Sequence, residues 1–200
     1  MSTCKQGAAY GVATLPALAH GAHVIANDSA PEHLQLLLEK TPPAQRANLT
    51  LMPGLFPEDL AIAPCSLGVI LVARVLHFFD GERIRKAFAR CYEWLRPGGR
   101  LIVTAETPYL RNLQSFIPEY ESRRGKGAEW PGFIDDFPKW DTRKGVNLPA
   151  QMHLLDETVM AREAARAGFR TISIKHFGRP EFPDTLKFDG RESVGAIVEK

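Results

Sequence analysis

The strongest buried-strand pattern in the chain is Leu67–Ala73, LGVILVA, an apolar run without alternation, as a strand needs when helices cover both faces of its sheet. Residues 23–27, 49–52, 101–105, 169–175 and 193–198 read as further strands, rich in Val, Ile, Leu and Thr. Between them the period changes to that of helices. Residues 12–20 form a short helix stopped by Gly21, which enters the left-handed region without steric cost; Pro16 is tolerated there if it lies in the first turn, where N–H groups lack intrahelical partners. Ser29 and Glu32 read as a capping box that opens a helix to Lys40. Asp80 caps a helix whose Ile84, Phe88, Cys91 and Leu95 recur on one face, and Asp156 caps another that ends at Ala167 with Gly168 closing it. Arg96-Pro97-Gly98-Gly99 turns the chain from the Asp80 helix into strand 101–105. Strands alternating with helices of this size are βαβ units of a parallel sheet.

The alternation fails between Glu106 and Gln151. That stretch is aromatic and punctuated by Pro and Gly, and it reads as an insertion in a single domain spanning residues 1–200. Composition narrows the picture by exclusion. The formal net charge of +2 is spread without long Lys/Arg runs, so nucleic acid is not indicated as a partner. Cys4, Cys65 and Cys91 are odd in number and far apart, which suggests neither a disulfide framework nor a metal site and fits a reducing, cytoplasmic compartment. No signal-peptide pattern and no membrane-length apolar stretch occurs, so no membrane association is expected.

The chemistry is concentrated near the start. Gly7-Ala8-Ala9-Tyr10-Gly11 is a turn of small residues that lets backbone N–H groups approach a ligand, and strand 23–27 ends on Asp28, whose carboxylate can accept from ribose hydroxyls. This order points to a nucleoside cofactor. The glycine spacing departs from G-x-G-x-x-G, which weighs against a nicotinamide-dependent oxidoreductase.

With these segments in hand, the chain resembles the class I S-adenosylmethionine-dependent methyltransferases. GAAYG is similar to their glycine-rich first motif, VIANDSAPEHL to their second strand and following helix, LGVILVARVLHFFD to their fourth strand with its adjoining active-site segment, and LRPGGRLIV to their turn into strand five. The resemblance implies a three-layer α-β-α Rossmann-like sheet of order 3-2-1-4-5-7-6 with strand seven antiparallel. It implies S-adenosylmethionine as cofactor and a small-molecule methyl acceptor, with residues 106–151 as the acceptor-binding lid. Gly7, Ala8, Ala9, Tyr10 and Gly11 would lie under the methionine moiety, Asp28 and Ser29 at the ribose, Gly54 and Leu55 at the adenine, and Ala73, Arg74 and Val75 beside the transferred methyl group.

His77 is the candidate acid–base residue, its ordinary pKa lying near neutrality, with His153 and Tyr109 as further catalytic candidates. The alternative for His77 is a structural histidine packed by Phe78 and Phe79. Tyr109, Phe116, Tyr120, Trp130, Phe133 and Trp140 would line an acceptor pocket or form the insertion's own core. Two departures from the family stand out: Lys5 sits where an acid usually ends strand one, and residues 1–6 contain no apolar run. Strand one is therefore expected to be truncated or missing, with native chain upstream of Met1. A binding or scaffold protein of the same fold is the alternative function.

Overall fold

The computed structural model describes residues 2–6, 11–143 and 147–200. A seven-stranded sheet runs through the molecule, built from β1 (Ser2–Gln6), β2 (His23–Asp28), β3 (Leu49–Pro53), β4 (Leu67–Ala73), β5 (Leu95–Glu106), β8 (Arg170–Phe177) and β9 (Ser193–Glu199). Its order is β3-β2-β1-β4-β5-β9-β8, parallel except for β9, which runs antiparallel to both β5 and β8. This is the expected order and the expected single reversal.

The first strand is present, contrary to expectation. β1 lies at the centre, pairing Ser2↔His23 through Gln6↔Asn27 on one side and Thr3↔Val69 through Gln6↔Val72 on the other. Its sequence is STCKQ, in which Cys4 is buried in the core and Thr3 is half-buried. Hydropathy misses such a strand because what holds it is not a run of apolar side chains. The facing edges of β2 and β4 carry N–H and C=O groups that would otherwise lose their partners inside the protein, and a ladder on each side satisfies them.

Helices α3 (Gly81–Trp94) and α5 (Glu157–Ala167) cover one face of the sheet. The main core lies there, with Ile70, Val72, Leu101, Val103, Ala196 and Val198 in one cluster with Ile84, Phe88, Cys91, Trp94 and Met160. Helices α1 (Thr14–Ala19) and α2 (Pro31–Lys40) take the other face, where Ala26, Leu34 and Leu37 cluster over β2 and β3. That second cover stops short of β4. Val69, Leu71 and Ala73 are only half-buried, as is Ile102 on β5, and Ile197 on β9 is exposed. The apolar run that suggested a strand covered on both faces is thus covered fully on one.

Local signals explain most helix ends. Asp80 and Asp156 accept the N–H of Arg83 and Val159 as N-caps, and Gly168 closes α5 with φ +98°. The capping box at Ser29 and Glu32 does not form. The cap residue of α2 is Ala30, whose N–H goes to the Asp28 carboxylate, and Pro31 occupies the first turn, where it needs no donor. The Pro97-Gly98 turn is likewise absorbed into β5 as an irregularity: Leu67 pairs with Leu95 but Val69 with Arg100, and Gly98 carries φ +73°.

The segment 106–151 contains α4 (Ile117–Gly125) and strand β6 (Phe133–Ile134), which pairs antiparallel with β7 (Met152–His153). It has a core of its own made of Tyr109, Leu113, Phe116, Tyr120, Ile134 and Phe137, joined by Leu154 and by Phe182 from the β8–β9 connection. The Tyr120 hydroxyl ties it to the domain by donating to Asp156, the cap of α5, and within the segment the Tyr109 hydroxyl donates to Glu121 at 2.6 Å. Gly132 is where the hairpin tolerates no side chain, because an added Cβ would stand 2.0 Å from the Leu154 carbonyl oxygen. Backbone cannot yield as a side chain can. Gly132→Ala is therefore expected to lower stability by about 2 kcal/mol or more, read as a shift in the urea midpoint; an unchanged midpoint would show that the hairpin adjusts freely. Among the described residues no helix is long and apolar enough to cross a membrane.

Candidate active site

A cavity of about 900 Å³ opens at the carboxyl ends of β2 and β4, where open α/β sheets place their ligands. Asp28, Ser29, His33, Gly54 and Leu55 line one part; Ala73, Arg74, Val75, His77 and Phe78 line another, with Phe56, Phe79 and Arg83 also in the wall. Residues far apart in the chain meet here because the parallel topology brings the exits of β2, β3 and β4 to the same edge of the sheet.

Asp28, the last residue of β2, is nearly buried. One carboxylate oxygen accepts the Ala30 N–H at 3.0 Å and lies 3.3 Å from His33 Nδ1, so backbone and imidazole both fix its direction. The neighbouring Asn27 donates to the carbonyls of Met52 and Gly54 at 2.8 and 2.9 Å. This clamp sets the loop leaving β3 against the end of β2. Gly54 holds φ +141°, and Asp59 turns back to accept the Leu55 N–H at 2.9 Å, which leaves Leu55 half exposed at the cavity rim. Arg83 fastens the loop to α3, donating to the Phe56 carbonyl at 2.7 Å, pairing with Glu58 at 3.0 Å and lying 4.0 Å from the centre of the Phe79 ring.

At the end of β4 the backbone turns sharply, with Arg74 at φ +57°. Both its Nε and Nη2 reach one oxygen of Glu106, at 2.8 and 2.7 Å, so the guanidinium is anchored to the end of β5. His77 follows in a short 3-10 turn and is buried against Phe78, the ring centres 4.1 Å apart. Its Nδ1 is sealed from solvent and has no hydrogen-bond partner among the described residues. Burial, reinforced by the positive charge of Arg74, pushes its pKa down to about 4, so the ring is neutral at physiological pH.

The other two catalytic candidates stand outside the cavity wall. His153 is buried between the rings of Trp130 and Phe133, its Nδ1 3.1 Å from the Phe79 carbonyl, and burial lowers its pKa to about 4. Tyr109 lies in the insertion's core, its pKa raised to about 12 by burial and then by the bond to Glu121. No described residue of 106–151 lines the cavity. Trp130 and Phe133 border a separate hollow of about 200 Å³ with Asp80, Gly81 and Arg123, while Tyr109, Phe116 and Tyr120 pack inward. Gly7, Ala8, Ala9 and Tyr10 lie outside the described residues. Gly11, buried with φ +83°, is not part of the cavity wall; its carbonyl accepts the Leu15 N–H at 3.0 Å to start α1, and Val12 and Ala13 line the cavity. Sequence reading misses Arg179 and Glu181, which line the cavity from the β8–β9 connection. No local motif marks them; only the antiparallel return of β9 brings that connection to the mouth.

Comparison with known proteins agrees with this geometry. Residues 5–99 match a family model described as a methyltransferase domain. A stretch of 55 residues is 42% identical to 3-amino-4-hydroxybenzoate 4-O-methyltransferase of Streptomyces cremeus, covering 28% of this chain and 14% of that enzyme's length. An S-adenosylmethionine-dependent methyltransferase from Mesorhizobium loti superimposes with a TM-score of 0.70 at 16% identity, covering 100% of this chain and 90% of the other. One from Methanosarcina mazei gives 0.71 at 14% identity, with 100% and 92% coverage. These two structures share the fold.

Proposed function

We propose that the chain is a class I S-adenosylmethionine-dependent methyltransferase that binds S-adenosylmethionine in the cavity at the ends of β2 and β4 and transfers its methyl group to a small-molecule acceptor. The observation that carries this reading is one continuous cavity that runs from a held carboxylate, Asp28, to a buried neutral histidine, His77. A small acceptor is also what the Streptomyces cremeus relative's name describes.

The residues present fit such a cofactor. Asp28 is aimed by Ala30 and His33 and sits where ribose hydroxyls would donate to it. Gly54 and Leu55, clamped by Asn27 and Asp59, offer backbone and an exposed aliphatic side chain to a flat base. Bound there, S-adenosylmethionine supplies a methyl group already activated on a sulfonium, so the protein's task is to align the acceptor and keep water away. Phe56, Phe78 and Phe79 provide the apolar walls for that purpose. With Nδ1 sealed, His77 meets an acceptor through its other ring nitrogen, and it does so uncharged. The 106–151 segment supports the cavity rather than lining it, by holding Phe182 and through it the β8–β9 connection.

Titration calorimetry with S-adenosylmethionine and with S-adenosylhomocysteine tests the reading. Saturable one-to-one heat with both is expected, and absence of heat with either compound would remove it.

A further inference from the structure

The wall of the cavity near the end of β4 contains two arginines whose guanidinium groups share one aromatic ring. Arg179 lies 4.6 Å and Arg74 lies 5.5 Å from the centre of Phe182. Their counter-charges differ in kind. Glu106, which holds Arg74, is buried at the end of β5 and is not part of the cavity wall. Glu181, which pairs with Arg179 Nε, belongs to the wall and its side chain is 60% exposed. Arg179 itself is mostly covered: it packs on Phe182, and its Nη1 donates to Ser193 Oγ at 3.4 Å. A fixed cation is therefore matched with a solvated, replaceable anion two residues away.

We propose that Arg179, with Arg74 beside it, is the seat for a carboxylate carried by the methyl acceptor, and that Glu181 occupies that seat in the unliganded protein. An ion pair whose anion stays in water contributes little, because solvent already satisfies the carboxylate, so exchanging Glu181 for a ligand carboxylate costs little. A guanidinium fork matches a planar carboxylate in two parallel hydrogen bonds, which a neutral amide cannot reproduce. Phe78, largely exposed in the cavity wall, supplies apolar surface for the body of such a molecule. The acceptor class that follows is a small carboxylic acid with an apolar or aromatic body.

This inference rests on the proposed use of the cavity, and the experiment separates the two. Protein saturated with S-adenosylhomocysteine is titrated with benzoate and with benzamide. Failure of S-adenosylhomocysteine to bind defeats the cofactor reading; the inference is decided by the second titration. Benzoate is expected to bind about tenfold more tightly than benzamide, the effect of a charge-assisted bond. Arg179→Met should abolish that preference and Arg179→Lys should restore part of it. Glu181→Gln should tighten benzoate several-fold and leave benzamide unchanged, a gain that mere damage to the loop would not produce. The inference is overturned if benzoate does not bind, if it binds no better than benzamide, if the preference survives in Arg179→Met, or if Glu181→Gln fails to tighten it.

Discussion

Asp28→Ala is expected to weaken S-adenosylmethionine binding about 100-fold, the loss of two hydrogen bonds to a charged acceptor at roughly 1.5 kcal/mol or more each. The side chain has two duties that must be told apart. Its carboxylate accepts the Ala30 N–H and so sets the first turn of α2, and it is the acidic group that β2 delivers to the cavity. Alanine removes both. The informative comparison is Asp28→Asn, because an amide oxygen can keep the bond to Ala30 while the negative charge is lost. Asp28→Asn should unfold at the wild-type urea concentration yet still bind the cofactor at least about tenfold more weakly, since a neutral acceptor forms the weaker bond. If it binds as tightly as the native protein, Asp28 is a turn residue and the ribose lies elsewhere.

Lowering the pH from 7.5 to 5 is expected to destabilise the fold by about 4 kcal/mol through two buried histidines, His77 and His153. Each has its pKa lowered from 6.5 to about 4 by burial. The unfolded chain takes up these protons near pH 6.5 and the folded protein does not, so between the two values the unfolded state binds more protons and stability falls with pH. The contribution is fully present above pH 6.5, is down by roughly 2 kcal/mol per ring at pH 5, and is lost below about pH 4. Carboxylates held low by arginines, such as Asp189 by Arg191 and Glu199 by Arg170, titrate beneath this window. For a domain whose total stability is typically ~5–15 kcal/mol, the effect is large. Urea melts at pH 7.5, 6 and 5 measure it. Replacing His77 with Gln should halve the slope, and a midpoint that stays level from pH 7.5 to 5 would show that neither ring is kept neutral by folding.

The elements legible in the sequence share a property: their signal is local. Leu67–Ala73 reads with its observed bounds because apolar side chains in succession have few other uses. Asp80, Asp156 and Gly168 read as caps because each answers a backbone need within a few residues of itself. Asp28 and the β4 exit fall in one site because the strand order that the resemblance implies carries both to the same edge. The misreadings each concern a competition settled elsewhere. Ser29 is next to a stronger acceptor, Asp28, which takes the Ala30 N–H at the start of α2. For the aromatics of 106–151 the sequence left two uses open, and the structure places Tyr109, Phe116 and Tyr120 in the segment's own core and Trp130 and Phe133 at the small hollow beside it.

The sequence by itself determined the α/β alternation, most helix ends and the carboxylate at the end of β2. Only the tertiary structure decided that STCKQ is the central strand, since that depends on unpaired backbone in β2 and β4 rather than on the hydropathy of residues 2–6. Only it brought Arg179 and Glu181 to the cavity, because a connection's position follows from where its flanking strands are paired. Hydrophobic period reports what a segment buries. Hydrogen-bond partners across a sheet, and the far loops those strands carry, are set by the other strands.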